Sequence, residues 1–258
     1  MLRHTFIHAP GIGPVREAAI WDRGVHTWGE YLMAHDDGRF PEPHYADLPD
    51  LIAWSHRALD EGDLAFFARR LPQDEHWRLY EDFGHAAAYV DIETTGLSAG
   101  FDRITVVAMH TDAGTDLFVR GRNLRDFPAA AAAFPLVVTF NGAVFDLPFL
   151  AREFDGWWPV AHIDLRFALR RLGLRGGLKA IERQTGLARS SDVDGMTGWD
   201  AVRLWRSHER GDPRALDRLL DYARYDVVNL KPLAAQAARE LPDTLPFRRP
   251  APSAPTSI

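Results

Sequence analysis

The sequence predicts an α/β protein in which helices flank a mixed five-stranded sheet, with a mostly helical region in front of it. One observation is a series of short apolar runs of strand length, at residues 89–93, 104–111, 116–120, 136–140 and 160–164. Another is the helical periodicity between the later runs, as parallel strands require. We expect three parts: a helical region at residues 1–85, the α/β domain at residues 86–240 and a Pro-rich disordered tail at residues 241–258.

Composition narrows the possible chemistry. Of the 258 residues, 46% are hydrophobic, so the chain can bury a substantial core. The chain has no cysteine, which excludes disulfides, thiolate zinc sites and cysteine nucleophiles and leaves Asp, Glu and His as metal ligands. No apolar run is long enough to span a bilayer and no secretion signal is visible, so we expect a soluble cytoplasmic protein without a membrane partner.

The N-terminal region shows helical patterns at residues 18–21, 27–32, 51–59 and 64–71. Gly11 and Gly13 precede the first of these patterns, and a helix, a glycine turn and a second helix resemble a helix-hairpin-helix motif. In such a motif glycines let backbone N–H groups approach a DNA phosphate, so both are candidate DNA-backbone contacts. The alternative is a turn that packs this region against the α/β domain.

The first strand ends in two carboxylates on alternate residues, Asp91 and Glu93. Alternate residues of a strand point to the same face, so the two charges lie side by side. Burial of an ionised carboxylate is costly unless a cation, a donor or a proton compensates it. The pair therefore predicts arginine neighbours or a hard divalent cation such as Mg²⁺, which prefers oxygen ligands. The alternative is a pair that simply ends an exposed strand.

The following strands define the topology of the sheet. Short connections predict that the strands at residues 89–93, 104–111 and 116–120 pair in an antiparallel way. An alanine-rich helix at residues 129–133 then leads to the strand at residues 136–140, which we expect beside the first strand and parallel to it.

Two further aspartates lie at the ends of the next strands. Pro148 predicts a helix that starts close to it, because proline is tolerated in the first turn. Asp146 then lies at the helix N-terminus, either as part of a site with Asn141 and Phe145 nearby or only as an N-cap. Asp164 ends the strand at residues 160–164, and we interpret it as the cap of the next helix.

The second half of the α/β domain is basic. Residues 161–240 hold 15 Lys or Arg against 11 Asp or Glu, although the whole chain has a net charge of -6. A basic surface beside a polar loop at residues 190–198 suggests a wall for a phosphate backbone. The alternative is that these side chains only solvate helices. The candidates are Arg166, Arg170, Arg171, Arg175 and Lys179.

A late helix, predicted at residues 213–230, carries the last acidic candidate. Its leucines recur at helical spacing. Tyr222 and Asp226 are four residues apart, so both side chains project from the same face of this helix. Such a pair is common by chance, and its meaning depends on the other motifs.

The order of the acidic motifs is specific, although each motif alone is common. Asp-x-Glu on a strand, Asn-x-x-x-Phe-Asp after the crossover and Tyr-x-x-x-Asp on a late helix resemble the DEDDy group of 3′-5′ exonucleases in the ribonuclease H-like superfamily. This resemblance covers about residues 86–240 and implies a ribonuclease H-like fold. More narrowly, the chain is similar to bacterial YprB-like proteins, through segments at residues 10–13, 77–79, 141–150, 178–179 and 222–230.

The resemblance implies a 3′-5′ exonuclease that hydrolyses phosphodiester bonds of DNA or RNA by a two-metal-ion mechanism. Its partner would be a nucleic acid with a 3′ end. Two Mg²⁺ or Mn²⁺ ions would be held by Asp91, Glu93, Asp146 and Asp226, and Tyr222 would orient the attacking water. The residues expected to contact the substrate are Thr94, Thr95, Gly96, Leu97, Asn141, Phe145, Arg170 and Lys179.

Two other functions stay open at the level of sequence. One is a noncatalytic nucleic-acid-binding module that retains the fold, and the other is a structure-specific endonuclease. The intact set of four carboxylates and a tyrosine favours an enzyme over the binding module. The choice between DNA and RNA depends on contacts to the 2′-hydroxyl, to which no residue can be assigned.

Overall fold

The computed structural model describes residues 1–39, 47–189 and 195–246. Strands in these ranges form a five-stranded sheet with the order β3-β2-β1-β4-β5. β1 lies at the centre, antiparallel to β2 and parallel to β4. β3 is antiparallel to β2, and β5 is parallel to β4. The predicted mixed sheet is therefore confirmed. Its strands are β1 Ala87–Thr94, β2 Ile104–Thr111, β3 Gly114–Val119, β4 Leu136–Thr139 and β5 Ala161–Asp164.

The chain before β1 is mostly helical, as predicted. Its α-helices are α1 Pro14–Asp22, α2 Trp28–Asp36, α3 Leu48–Asp60, α4 Leu64–Ala68 and α5 Tyr80–Phe83. Short 3-10 helices occupy Leu2–His4, Gln73–Leu79 and Gly84–Ala86. In the described ranges, every helix is too short or too polar to cross a lipid bilayer.

Helices also connect and cover the strands of the sheet. They are α6 Phe127–Ala131, α7 Asp146–Glu153, α8 Leu165–Arg171, α9 Leu178–Thr185, α10 Gly198–Glu209, α11 Pro213–Val228 and α12 Leu230–Glu240. Further 3-10 helices occupy Leu124–Asp126 and Leu241–Thr244. The crossover helix predicted between the third and fourth strands corresponds to α6, and the late helix predicted at residues 213–230 corresponds to α11.

Both faces of the sheet are covered, which explains why its strands are largely apolar instead of alternating. Odd-numbered residues of β1, such as Tyr89, belong to a large core shared with the N-terminal helices, α8, α11 and α12. Even-numbered residues, such as Val90, belong to a second core with α6 and α7. Asp91 and Glu93 follow the odd-numbered register. Their side chains therefore lie on the face that α11 covers.

A buried set of charges joins the N-terminal region to the α/β domain. The Arg78 guanidinium donates to Glu17 (Nη2 to Oε2, 2.8 Å) and to Glu75 (Nε to Oε2, 2.7 Å). Arg171 on α8 donates to the other Glu75 oxygen at 2.6 Å. Burial raises the pKa of Glu75, but Arg171 and Arg78 outweigh it and hold this pKa below its ordinary value. We call these four residues the N-terminal ion cluster.

The segment around Gly11 differs from the predicted helix-hairpin-helix. The chain before it contains only the 3-10 helix Leu2–His4, and α1 starts directly after Gly13, which is its N-cap. Gly11 has a φ of +79°, a left-handed conformation that ends any helix. Phe6 and Ile12 are buried, so this segment packs on the core as an irregular chain. The result is the packing turn that was the alternative interpretation.

The folded chain also extends further than predicted at its end. The tail was expected to start at Leu241, yet Leu241–Thr244 forms a 3-10 helix. Leu241 and Pro242 are buried, and the Leu241 side chain completes the core next to α12. Residues 247–258 lie outside the described residues, as do residues 190–194 of the predicted polar loop.

Candidate active site

Three carboxylates converge at the C-terminal end of β1. Oxygen atoms of Asp91, Glu93 and Asp226 all lie within 4.8 Å of one another. The three residues line a cavity of about 390 Å³, together with Tyr222. Glu93 and Asp226 are buried, and Asp91 is half-buried. A group of this kind offers only oxygen ligands, which is the donor set that Mg²⁺ prefers.

Two elements from distant parts of the sequence bring these carboxylates together. Asp91 and Glu93 alternate along β1, and the register with β2 shifts between Glu93 and Thr94. Such an irregularity bends a strand locally and re-aims its side chains. α11 packs against β1 with Tyr222 and Asp226 on its buried face. The predicted convergence of a strand motif and a helix motif is thus present in the structure.

Asp146 lies beside this group, as the first residue of α7. It is 3% exposed, and its charge is among the causes that raise the pKa values of Asp91 and Glu93. It is not a member of the group within 4.8 Å. The N-cap interpretation is wrong, because Phe145 is the N-cap and no side chain caps this helix end. We call Asp91, Glu93, Asp146 and Asp226 the acid cluster.

The turn between β4 and α7 positions Asp146. The Asp164 carboxylate caps α8, as predicted, and also accepts the backbone N–H of Asn141 at 2.7 Å. Asn141 has a φ of +67°. The backbone N–H of Gly142 donates to Thr139 Oγ1 at 3.0 Å, and a Cβ at this glycine would overlap the Thr139 side chain. This close approach requires glycine, and it directs the chain into α7.

The acid cluster carries more negative charge than its surroundings neutralise. Burial, followed by the charges of Asp226 and Asp146, raises the pKa of Asp91 well above its ordinary value. Burial and the charge of Asp226 raise the pKa of Glu93 in the same way. Burial raises the pKa of Asp146 to about 8, against hydrogen bonds from the backbone. Without a bound cation, the cluster therefore retains protons near neutral pH.

Arg189 reaches the acid cluster but shares its charge with another carboxylate. It forms an ion pair with Asp226 and a two-pronged pair with Glu182, at 2.6 Å (Nε to Oε2) and 2.7 Å (Nη2 to Oε1). Asn229 also donates to Glu182, at 2.9 Å. Burial raises the pKa of Asp226, and the charges of Arg189 and Lys179 offset this only in part.

Tyr222 presents a protonated phenol to the cavity. Burial and the charges of Asp226 and Glu93 raise its pKa, so the hydroxyl keeps its proton. Lys179 Nζ donates to Tyr222 Oη at 2.5 Å and also to the Met196 carbonyl. Because Oη accepts from Lys179, the phenol O–H is left to donate elsewhere. Lys179, predicted as a substrate contact, here supports the tyrosine.

The loop after β1 uses several predicted substrate residues for its own structure. Thr94 Oγ1 donates to the Gly96 carbonyl, and Thr95 Oγ1 donates to Asp102 at 3.1 Å. A Cβ on Gly96 would lie 2.6 Å from the Asp102 carboxylate, so a larger residue would displace this contact. Leu97 follows in the loop, is 71% exposed and lines the cavity of the acid cluster.

The other predicted substrate contacts lie in different places. Phe145 lines the cavity of the acid cluster. Asn141 and Arg170 line a second cavity instead. Gly11 and Gly13, predicted to contact a DNA backbone, line neither cavity.

Two residues at the site were not found from the sequence. Arg189 is one of 30 Lys and Arg residues, and nothing local marks it as the partner of Asp226 and Glu182. Trp199 lines the cavity of the acid cluster and is 58% exposed. The sequence offers only a weak signal for Trp199, namely a tryptophan in the first turn of a helix next to a polar loop.

The fold and site define an α/β protein with a mixed sheet and a candidate metal centre at the end of its central strand. The family model of the RNase_H superfamily matches residues 88–238. The chain belongs to this superfamily, so the predicted ribonuclease H-like fold is confirmed. No curated protein sequence matches the chain. Membership of the DEDDy group and similarity to YprB-like proteins stay predictions.

Several solved structures resemble this chain. NrnC from Brucella melitensis bound to pGG shares 23% identity over 64% of this chain and 78% of that chain, with a TM-score of 0.46. The family B DNA polymerase of Pyrobaculum calidifontis shares 20% identity over 60% of this chain and 24% of that chain, with a TM-score of 0.47. The Nibbler EXO domain of Aedes aegypti shares 12% identity over 68% of this chain and 88% of that chain, with a TM-score of 0.45.

Proposed function

We propose that the chain is a metal-dependent 3′-5′ exonuclease of the DEDDy type that hydrolyses phosphodiester bonds of DNA or RNA. The observation that carries the proposal is the excess of buried negative charge in the acid cluster. Its four carboxylates are bordered by Arg189, whose charge is shared with Glu182, and by Lys179. Buried carboxylates that outnumber their neighbouring cations in this way require bound protons or bound metal cations.

The residues present fit a pair of divalent metal ions. The donor set consists of carboxylate oxygens, which suit Mg²⁺ and Mn²⁺, and three of the carboxylates already approach within 4.8 Å. Asp91, Glu93, Asp146 and Asp226 would hold the two ions. When bound, these ions would activate water and stabilise the charge on the attacking and leaving oxygens.

Tyr222 would position the attacking water by donating a hydrogen bond. Its raised pKa excludes a role as general base near neutral pH, because the phenol does not ionise there. Lys179 holds the phenol oxygen at 2.5 Å, which fixes the orientation of the ring. The pair therefore acts as one positioning unit, in which Lys179 acts through Tyr222.

The rim of the cavity would bind the terminal nucleotide. Leu97 and Phe145 line the cavity, and the Phe145 ring packs against Phe149 with the ring centroids 5.0 Å apart. This contact gives the base a preformed apolar surface. The loop Thr94–Gly96 would lie against the sugar. The 3′-5′ polarity in this proposal comes from the resemblance of the acidic motifs to those of the DEDDy exonucleases.

Hydrolysis of end-labelled nucleic acids tests the proposal. Single- and double-stranded DNA and RNA with a 5′ label are incubated with Mg²⁺ or Mn²⁺. We expect a ladder of products that shorten from the 3′ end, and loss of the ladder in EDTA and in Asp226→Asn. Asp221→Asn is the matched control, since Asp221 is an exposed aspartate on the same helix and should retain full activity.

The same assay separates the alternative functions. Internal fragments without progressive shortening would identify an endonuclease. Tight binding of all four substrates without cleavage in either metal would identify a noncatalytic binding module. A ladder that Asp226→Asn and Asp221→Asn retain equally would contradict the assignment of the acid cluster as the catalytic site.

A further inference from the structure

A second, larger cavity adjoins the cavity of the acid cluster and has the opposite charge. Its volume is about 670 Å³, and three arginines line it: Arg166, Arg170 and Arg175. No acidic side chain is found among its lining residues in the described part of the chain. The two cavities share Gly198, at the start of α10, as a lining residue. We call the larger cavity the arginine cavity.

Two of the three arginines offer their positive charge to a ligand, whereas Arg166 donates to Asn141 and lies near Asp164. Arg170 and Arg175 are exposed, and neither forms an ion pair with an acidic side chain within residues 1–39, 47–189 and 195–246. Arg171, on the same helix as Arg170, shows the contrast, because Glu75 binds it at 2.6 Å. The charge of Arg171 is therefore neutralised within the chain, whereas Arg170 and Arg175 stay candidates for the predicted phosphate wall.

Backbone groups add to this preference for anions. The N-terminus of α9 has no side-chain cap, and its N-cap residue, Gly177, lines the arginine cavity. A Cβ at Gly177 would meet no atom within 4 Å, so the space in front of this helix end is open. The free N–H groups of a helix N-terminus favour a negative ligand. On the same helix, Lys179 contacts Tyr222, so α9 connects the two cavities.

The cavity of the acid cluster has an apolar rim that suits an unpaired base. Trp199 and Leu97 line it, with 58% and 71% of their surfaces exposed. Exposed aromatic side chains stack on the bases of single strands, with about 1–3 kcal/mol per base in known cases. A base within a duplex is already stacked and paired, and gains less from such a surface.

We propose that the arginine cavity binds the phosphate backbone of a single-stranded nucleic acid whose terminal phosphodiester lies at the acid cluster. The adjoining cavities then divide the strand by charge: arginines neutralise the backbone phosphates, and the carboxylates are reserved for the cations at the cleaved bond. The identity of the strand rests on the proposed nuclease function. The binding of phosphate by the arginine cavity does not require turnover.

Binding in EDTA tests this inference without hydrolysis. The probes are fluorescein-labelled oligothymidylate and oligouridylate of about twelve nucleotides, a length within the range of known single-strand sites. Arg170→Gln/Arg175→Gln is compared with wild type and with Arg214→Gln/Arg218→Gln. The control pair is exposed, lies on α11 and lines neither cavity. All three proteins are titrated across about 50 to 200 mM salt.

We expect the cavity variant to bind at least about tenfold more weakly at low salt. The slope of log K against log salt should fall by about 0.7 for each arginine, since each lost phosphate contact releases fewer counterions from a single strand. The control pair should bind like wild type. Arg170→Lys/Arg175→Lys should recover most of the slope, because it restores the charge. Thermal melting checks that the variants fold.

Two outcomes would overturn the inference. One is an affinity and slope in the cavity variant that match those of the control pair. The other is a loss of thymidine monophosphate binding in the cavity variant that equals its loss of oligonucleotide binding. This result would identify the cavity as a mononucleotide site and not a backbone site. If wild type cleaves nothing in Mg²⁺ or Mn²⁺, the proposed function fails, while the binding result in EDTA still decides the role of the arginine cavity.

Discussion

The chain buries two groups of charges that are built in opposite ways. In the N-terminal ion cluster, Glu17 and Glu75 meet two guanidinium groups, and the pKa of Glu75 is held below its ordinary value. In the acid cluster, burial raises the pKa values of all four carboxylates, and repulsion within the cluster adds to this rise for Asp91, Glu93 and Asp146. Both groups are largely buried, so burial alone does not explain the difference.

This difference separates a structural role from a functional one. The N-terminal ion cluster is neutral as it stands and joins the N-terminal helices to α8. The acid cluster requires positive charge from outside the chain, and its carboxylates face a cavity where such charge can enter. A protein that needed only stability would gain by replacing these carboxylates with apolar side chains. We infer that the excess charge is retained for binding cations.

Removal of a carboxylate from the acid cluster should have the largest effect, and only on activity. We expect Asp91→Asn to lower kcat about 10⁴-fold, equivalent to ~5 kcal/mol of barrier. Its stability in EDTA should be equal to that of wild type or higher, because a repelling charge is lost. Single-turnover hydrolysis and urea denaturation measure the two quantities. A large loss of stability with activity retained would assign the acid cluster a structural role.

Removal of the Arg78 charge from the N-terminal ion cluster should have the reverse effect, a loss of stability without a loss of activity. Arg78→Met leaves Glu17 and Glu75 buried with too little positive charge, which should lower the free energy of unfolding by about 3–5 kcal/mol. At low temperature, the hydrolysis rate of the folded fraction should be unchanged. Arg69→Met, at an exposed arginine, is the control and should change stability by less than about 0.5 kcal/mol. A loss of less than about 1 kcal/mol in Arg78→Met would contradict the structural role.

The sequence predicts the acid cluster well because its signals are local. Asp91 and Glu93 alternate on a strand, and Tyr222 and Asp226 are four residues apart on a helix, so their faces follow from the periods of these elements. The strands of the sheet are likewise marked by their length and by the turns between them. These rules place side chains on faces, and the resemblance to the DEDDy exonucleases then implies which faces meet.

The partners of the acid cluster are not predictable in this way. Arg189 pairs with Asp226 and Glu182 only after α9 and α11 have packed, and Lys179 is directed to Tyr222 by the same packing. The prediction of a helix-hairpin-helix around Gly11 failed for a related reason. Its local signal was that of a hairpin, but the burial of its apolar neighbours determined the conformation of the chain.

Tyr222→Phe should have an intermediate effect on the acid cluster. We expect kcat to fall about 10²-fold with little change in KM, because the lost hydroxyl orients water and does not bind the strand. Tyr225→Phe, at a half-buried tyrosine on the same helix, is the control and should behave like wild type. An increase in KM at constant kcat would instead place Tyr222 among the residues that bind substrate.

The smallest expected effect is a pH dependence of stability, which should arise from the acid cluster. The carboxyl of Asp146 has an ordinary pKa of 3.8, and burial raises it to about 8 in the folded chain. Its contribution is fully present below pH ~4, where both states are protonated, and is lost as the pH rises towards about 8, because the unfolded state ionises first. In EDTA, stability should therefore fall by about 1 kcal/mol or more across this window.

Asp146→Asn should flatten this pH dependence, and Mg²⁺ should oppose it, since cations bind the ionised form. The shift in melting temperature caused by Mg²⁺ should therefore grow between pH 5.5 and pH 8. A Mg²⁺ effect that is independent of pH, or a stability in EDTA that rises over the same interval, would contradict the raised pKa of the acid cluster.

Calorimetric titration with Mn²⁺ near pH 8 tests the central claim most directly, namely that the excess charge of the acid cluster is there to bind divalent cations. We predict two ions per chain for wild type and at least about tenfold weaker binding for Asp91→Asn. The exposed-site variant Asp221→Asn should titrate like wild type. Absence of binding at millimolar Mn²⁺, or equal binding in wild type and Asp91→Asn, would contradict the claim.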